Sequence, residues 1–176
     1  MTRITLVVLA SVLALVLSGC STLSVNSDWD EQVDFTTFQT FNVLPIQSPI
    51  NQLVENRITD AIKVHLTERG FTENAVSPDM IIAVHLNVDD KVSVQTYNYG
   101  YPYGGYGHGA YPYWHGGTDV SVSQYQEGTL VIDFVDAGKN ELAWRGWGTK
   151  VLDDSSGDAY QVQQTIDKIL NQYPPK

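Results

Sequence analysis

The sequence predicts an α+β fold, an antiparallel β-sheet with two α-helices packed on one face, in the order β-α-β-β-β-β-β-α. Three observations carry that expectation. Asp79 to Val88 alternates side chains with the period of a half-buried strand. Asn51 to Arg69 and Asp158 to Tyr173 repeat apolar residues at helical spacing on one side only. Between two apolar runs lies Asp136-Ala137-Gly138-Lys139-Asn140, the composition of a hairpin loop with glycine where a positive φ is affordable.

Each element has its own signal. Trp29 to Val43 reads as an extended segment, because Val33, Phe35, Phe38, Phe41 and Val43 are the residue types that strands favour. Its spacing breaks between Phe35 and Phe38, which predicts a turn or bulge at Thr36-Thr37. In the first helix Val54, Ile58, Ala61, Ile62, His65 and Leu66 share a face, and Gly70 stands where a left-handed residue ends a helix. Met80, Ile82, Val84, Leu86 and Val88 then point one way along a strand. Asp89-Asp90 is a turn signal, with Lys91 to Tyr97 as the partner strand. Asp119 to Gln126, Gly128 to Asp136 and Glu141 to Val151 complete the sheet. The last helix carries Val162, Ile166, Ile169, Leu170 and Tyr173 as its stripe, and Pro174-Pro175 stops it.

The chain is 176 residues long with a formal net charge of −10. That balance opposes nucleic acid and anionic lipid surfaces, both of which are bound by lysine and arginine. Thr2-Arg3 followed by the apolar run Ile4 to Leu17 has the form of a secretory signal, too short for a comfortable membrane span. It closes on Leu17-Ser18-Gly19-Cys20, and Cys20 is the only cysteine. This resembles the lipobox of bacterial lipoproteins, in which the cysteine is acylated and the chain is cut just before it. The resemblance implies a signal peptide over residues 1–19, a lipidated N-terminus and short tether over 20–27, and a single domain over 28–176. Losing Arg3 would leave the mature chain at −11. Ser21, rather than Asp, resembles the pattern sorted to the outer membrane, so the expected location is the outer membrane with the domain in the periplasm.

Further residues carry a second resemblance. Asp30 to Phe41 (DEQVDFTTFQTF), the hairpin from Gly128 through Ala137 to Leu142-Ala143-Trp144-Arg145-Gly146, and the ending from Ile169-Leu170 to Tyr173-Pro174-Pro175-Lys176 are similar to the lipoproteins labelled domain of unknown function 4136. Tyr173 stands where phenylalanine would be expected. The resemblance implies an α+β envelope lipoprotein domain without assigned catalytic residues.

Tyr97 to Gly117 is the most unusual segment. Its 21 residues hold seven tyrosines, seven glycines and no charge. Aromatic faces on a pliant backbone suit stacking on sugars or on other rings, so Tyr101, Tyr103, Tyr106, Tyr111, Tyr113 and Trp114 form the candidate binding surface. The plainer reading is a low-complexity hairpin extension. His65, His85, His108 and His115 lack the paired spacing of a zinc site, so no metal and no cofactor is expected. The acidic run Asp153 to Asp158 lacks calcium-loop spacing and reads as a polar loop ahead of a helix. Asp133 and Arg145 are expected to pair across the hairpin, and an exposed Trp147 would signal a contact surface. No nucleophile elbow or phosphate loop is present. The expectation is a non-enzymatic lipoprotein, anchored to the membrane by its N-terminal lipid, that serves as a binding or structural module of the cell envelope, with a periplasmic protein or peptidoglycan as the candidate partner and no nucleic acid. The alternative is a small-molecule or metal binder, or an enzyme, with a site around His65 and His85.

Overall fold

The structure, a computed structural model, describes residues 23–46, 51–99 and 117–174. Its elements are β1 (Ser24–Trp29), a 3₁₀ turn (Phe35–Thr37), β2 (Thr40–Val43), α1 (Gln52–Glu68), β3 (Thr72–Glu73), β4 (Met80–Tyr99), β5 (Gly117–Asp136), β6 (Glu141–Val151) and α2 (Ala159–Leu170). One six-stranded sheet has the order β1-β6-β5-β4-β2-β3. The α+β class expected from the sequence is what the chain adopts.

The helices start and stop on local chemistry. Asn51 caps α1 by accepting from the Leu53 amide through its side chain (2.8 Å). At the other end Gly70 has φ +87°. The Gly70 amide donates to the Thr67 carbonyl (2.9 Å) and that of Phe71 to Leu66 (3.0 Å), which closes the last turn as a left-handed glycine allows. Phe41, Met80, Ile82, Ile132, Phe134 and Trp144 come from the sheet, and Ile62, Leu66, Ile166, Ile169 and Leu170 from the helices; all are fully buried together. Tyr173 closes this core, its ring 4.8 Å from that of Phe134 and 5.5 Å from those of Phe35 and Trp144.

Several elements differ from the sequence expectation. The sheet is mixed, because β2 runs parallel to both β3 and β4. The physical reason is α1: a helix between two neighbouring strands returns the chain to the end at which it started, which forces parallel pairing. The extended segment Trp29 to Val43 is two strands, parted by a turn in which Asp34 accepts from the Thr36 amide (3.0 Å) and hydroxyl (2.6 Å). β1 begins at Ser24, inside the stretch read as tether, and pairs along the outer edge of β6 from Ser24↔Thr149 to Trp29↔Trp144. Local propensity does not announce this strand; a long-range partner makes it.

Asp89-Asp90 is not a turn. β4 and β5 are continuous and pair antiparallel from Met80↔Asp136 to Tyr99↔Gly117. Asp89 and Asp90 fit because both are exposed, and Gln126 donates to Asp90 across the rung (3.0 Å). β6 reaches only as far as the rung Glu127↔Val151. Beyond it β4 and β5 leave the sheet as a two-stranded ribbon. The strands enter the tyrosine- and glycine-rich segment, as far as Tyr99 on one side and from Gly117 on the other. The six candidate aromatic residues from Tyr101 to Trp114, together with Cys20 and the signal segment, lie outside the described residues.

Candidate functional site

The sheet has two unlike faces. Even-numbered residues of β4 and β5 up to Val84 and Leu130 face the helices and are buried. Odd-numbered residues form the outer face, and there three strands bring charged side chains together. Ala83 opposes Asp133 and His85 opposes Val131; Asp133 in turn opposes Arg145. Arg145 donates to both carboxylate oxygens of Asp133, through Nε and an Nη, at 2.6 Å each. The expected cross-strand pair is therefore present and bidentate, the geometry in which a guanidinium is strongest. It holds the Arg145 guanidinium above its ordinary proton affinity. Asp133 is buried on a face that the helices do not cover, shielded by Arg145 itself. His85 is the third member, with Nε2 3.6 Å from Asp133 Oδ2 and its side chain largely exposed.

His65 occupies the other side of the sheet. It is buried in α1, with Nδ1 2.8 Å from Asp167 Oδ1 on α2, and Gln163 donates to the same oxygen (3.0 Å). His65 thus ties the two helices together, while His85 stands on the outer face. The alternative site that grouped them is not assembled. Among the described residues no cluster of three or more His, Cys, Asp or Glu is placed to hold a metal ion. The acidic run closes on itself: Asp153 accepts from the hydroxyls of Ser155 and Ser156 (2.8 Å each), which keeps its carboxyl below the usual range.

Two hollows adjoin these groups. One, of about 620 Å³, lies at the end of the β1–β6 edge and is lined by Asp28, Trp29, Asp30, Leu142, Trp144, Arg145 and Trp147; by register Trp29 stands in the row of Trp144 and Trp147 in the opposite, outer row. Trp29 is 48% exposed and Trp147 half-buried, so indole faces are open to a partner. The other, of about 350 Å³, lies between the sheet and the helices, where Val54, Ile58, Leu86, Leu130 and Val162 meet polar residues such as Asn51, Gln126 and Thr165. Sequence reasoning flagged Trp147 and Arg145 but missed Trp29, which lines the same hollow only because β1 joins β6.

With this geometry in view, the sequence profile of a domain of unknown function, DUF4136, matches residues 25–175. The chain belongs to the DUF4136 family. No curated protein matches the sequence. A DUF4136 family protein from Bacteroides thetaiotaomicron shares the fold with a TM-score of 0.53 at 14% identity, over 88% of this chain and 97% of that one. A PDZ domain protein from Parabacteroides distasonis aligns with a TM-score of 0.59 at 18% identity, over 96% of this chain but only 40% of the other. The PelC dodecamer from Paraburkholderia phytofirmans gives 0.51 at 10% identity, over 85% and 96%. At these identities the likeness is one of fold. No helix among the described residues of this DUF4136 domain is long and apolar enough to cross a membrane.

Proposed function

We propose that the chain is a lipid-anchored protein of the bacterial outer membrane, held through Cys20, whose periplasmic domain is a non-enzymatic binding module. The observation that supports binding is the hollow at the end of the β1–β6 edge, lined by Trp29 and Trp147 together with Asp28, Asp30 and Arg145. Flat apolar rings ringed by fixed charges suit a protein segment or the sugar rings of the cell wall, in which rings stack and polar groups orient. The lipobox-like Leu17-Ser18-Gly19-Cys20 supports the anchor, and β1 begins only four residues beyond the cysteine, which keeps the domain near its membrane.

One set of preparations tests both parts. Cells expressing the full chain incorporate labelled palmitate, and Cys20→Ala abolishes both the label and sedimentation with outer membranes. Beads carrying the domain retain a protein or peptidoglycan fraction from envelope extracts, and Trp29→Ala with Trp147→Ala reduces retention at least about tenfold, as loss of two aromatic anchors does. Equal retention by the double variant would remove this hollow from the binding site.

A further inference from the structure

Among the described residues, the ribbon of β4 and β5 leaves an apolar face uncovered. Within the domain the even-numbered row of these strands faces the helices, and the same row continues outward past Val88 with none of the described residues packed over it. Val92 is 59% exposed, Val94 61%, Val120 57% and Val122 61%. Register gathers them on one face, because Val94 opposes Val122, Val92 opposes Gln124 and Thr96 opposes Val120. The opposite row carries Lys91, Ser93 and Gln95 against Ser121, Ser123 and Tyr125. From Val92 to Tyr99 β4 has no charged residue, and between Gly117 and Gln126 β5 has Asp119 alone, in register with the Ser121 row. Two strands without a third, showing valines to water, are marginal on their own.

Topology says where this face lies relative to the N-terminus. Ser24, Thr149, Thr129 and Asn87 form one row across the sheet, and β1 runs antiparallel to β4. The chain preceding Ser24 therefore leaves from the end at which the ribbon projects. Cys20 is four residues before Ser24 and Lys91 four residues after Asn87, each about 13 Å at strand rise. Four residues of chain are thus long enough to span from Ser24 to the level of Lys91, one residue short of the valines.

We propose that the valine face of the ribbon, Val92, Val94, Val120 and Val122, is a membrane contact that enters the interfacial layer of the bilayer in which the N-terminal lipid is held. The proposal rests on the anchor at Cys20 put forward above. Its occupant is the acyl boundary of a neutral lipid surface, since a chain of net charge −10 gains nothing from anionic headgroups. The apolar row supplies the burial, and Asp90 and Lys91 mark the water-side limit.

The mature domain carrying Cys20→Ser separates this contact from the anchor. Mixed with phosphatidylcholine vesicles and floated on a density gradient, it rises with the vesicles. Replacing all four valines by threonine, which keeps shape and strand preference, lowers the partition coefficient at least about tenfold. In the same cysteine-free background an environment-sensitive dye placed by Val94→Cys shifts to the blue on adding vesicles, whereas the dye placed by Ser93→Cys does not. This second measurement keeps the question decidable where the quadruple variant loses its ribbon. A domain that stays at the bottom, or dyes that respond alike, would overturn the contact while leaving palmitate labelling of Cys20 intact. If the dye at position 94 shifts with protein concentration and without lipid, a second copy of the chain covers the face and the membrane is excluded.

Discussion

Asp133 shows how one buried charge is made tolerable. Its two oxygens are each matched by a guanidinium N–H of Arg145, so charge leaves water only in company. Arg145→Met is expected to lower stability by about 1–3 kcal/mol, because it strands a buried carboxylate while half of the lost side chain was solvated; urea denaturation reads the loss. Asp79 acts differently. Its carboxylate accepts from the Gln39 amide (3.0 Å), the Thr40 amide (2.8 Å) and the Thr40 hydroxyl (2.8 Å), fixing the start of β2 against that of β4. These bonds, led by the Gln39 amide, hold its proton affinity below the 3.8 of an unperturbed aspartate. A depressed carboxyl stabilises above its unfolded value and loses that contribution as pH falls through the folded one. Asp79→Asn is therefore expected to be less stable than wild type at pH 7 by about 1–2 kcal/mol, with the difference shrinking below about pH 4; thermal melts across that range give the answer.

Among the elements, β6 is the one that the packing constrains most tightly. A Cβ at Gly146 would overlap the Trp144 indole and come 2.8 Å from Ile169 Cγ2, and one at Gly148 would come 2.9 Å from Ile169 Cδ1. α2 sits this close because these two positions carry no side chain. Gly146→Ala is expected to destabilise by about 2 kcal/mol or more through overpacking, lowering the melting temperature by several degrees. Elements whose stability is local were legible in the sequence: α1 with its apolar face and Gly70 ending, α2 with its stripe, and the hairpin at Asp136 to Asn140. Elements that exist through distant partners were not. β1 needs the edge of β6, the parallel placement of β2 follows from the crossover through α1, and the continuity of β4 through Asp89-Asp90 follows from the strand opposite it. The same division holds at the site. The Asp133–Arg145 pair was readable because its register is set by a short loop, whereas Trp29 reaches the hollow that Trp147 lines only through long-range pairing.

For the molecule as a whole, that pairing orders events in time. The first strand of the domain bonds to the last, Ser24 to Thr149, and the core is closed by α2 and Tyr173 at the far end of the chain. Contacts this distant are slow to form, since the intervening chain must be restrained before they return any free energy. Until β6 has emerged, β1 has no edge to join, and the face of β5 that buries Ile132 and Phe134 lacks both Trp144 and α2. A chain led by an export signal and threaded through a membrane must stay unfolded until nearly all of it has crossed. For the exported protein proposed above, placing the first and last strands side by side would make folding wait for the end of translocation.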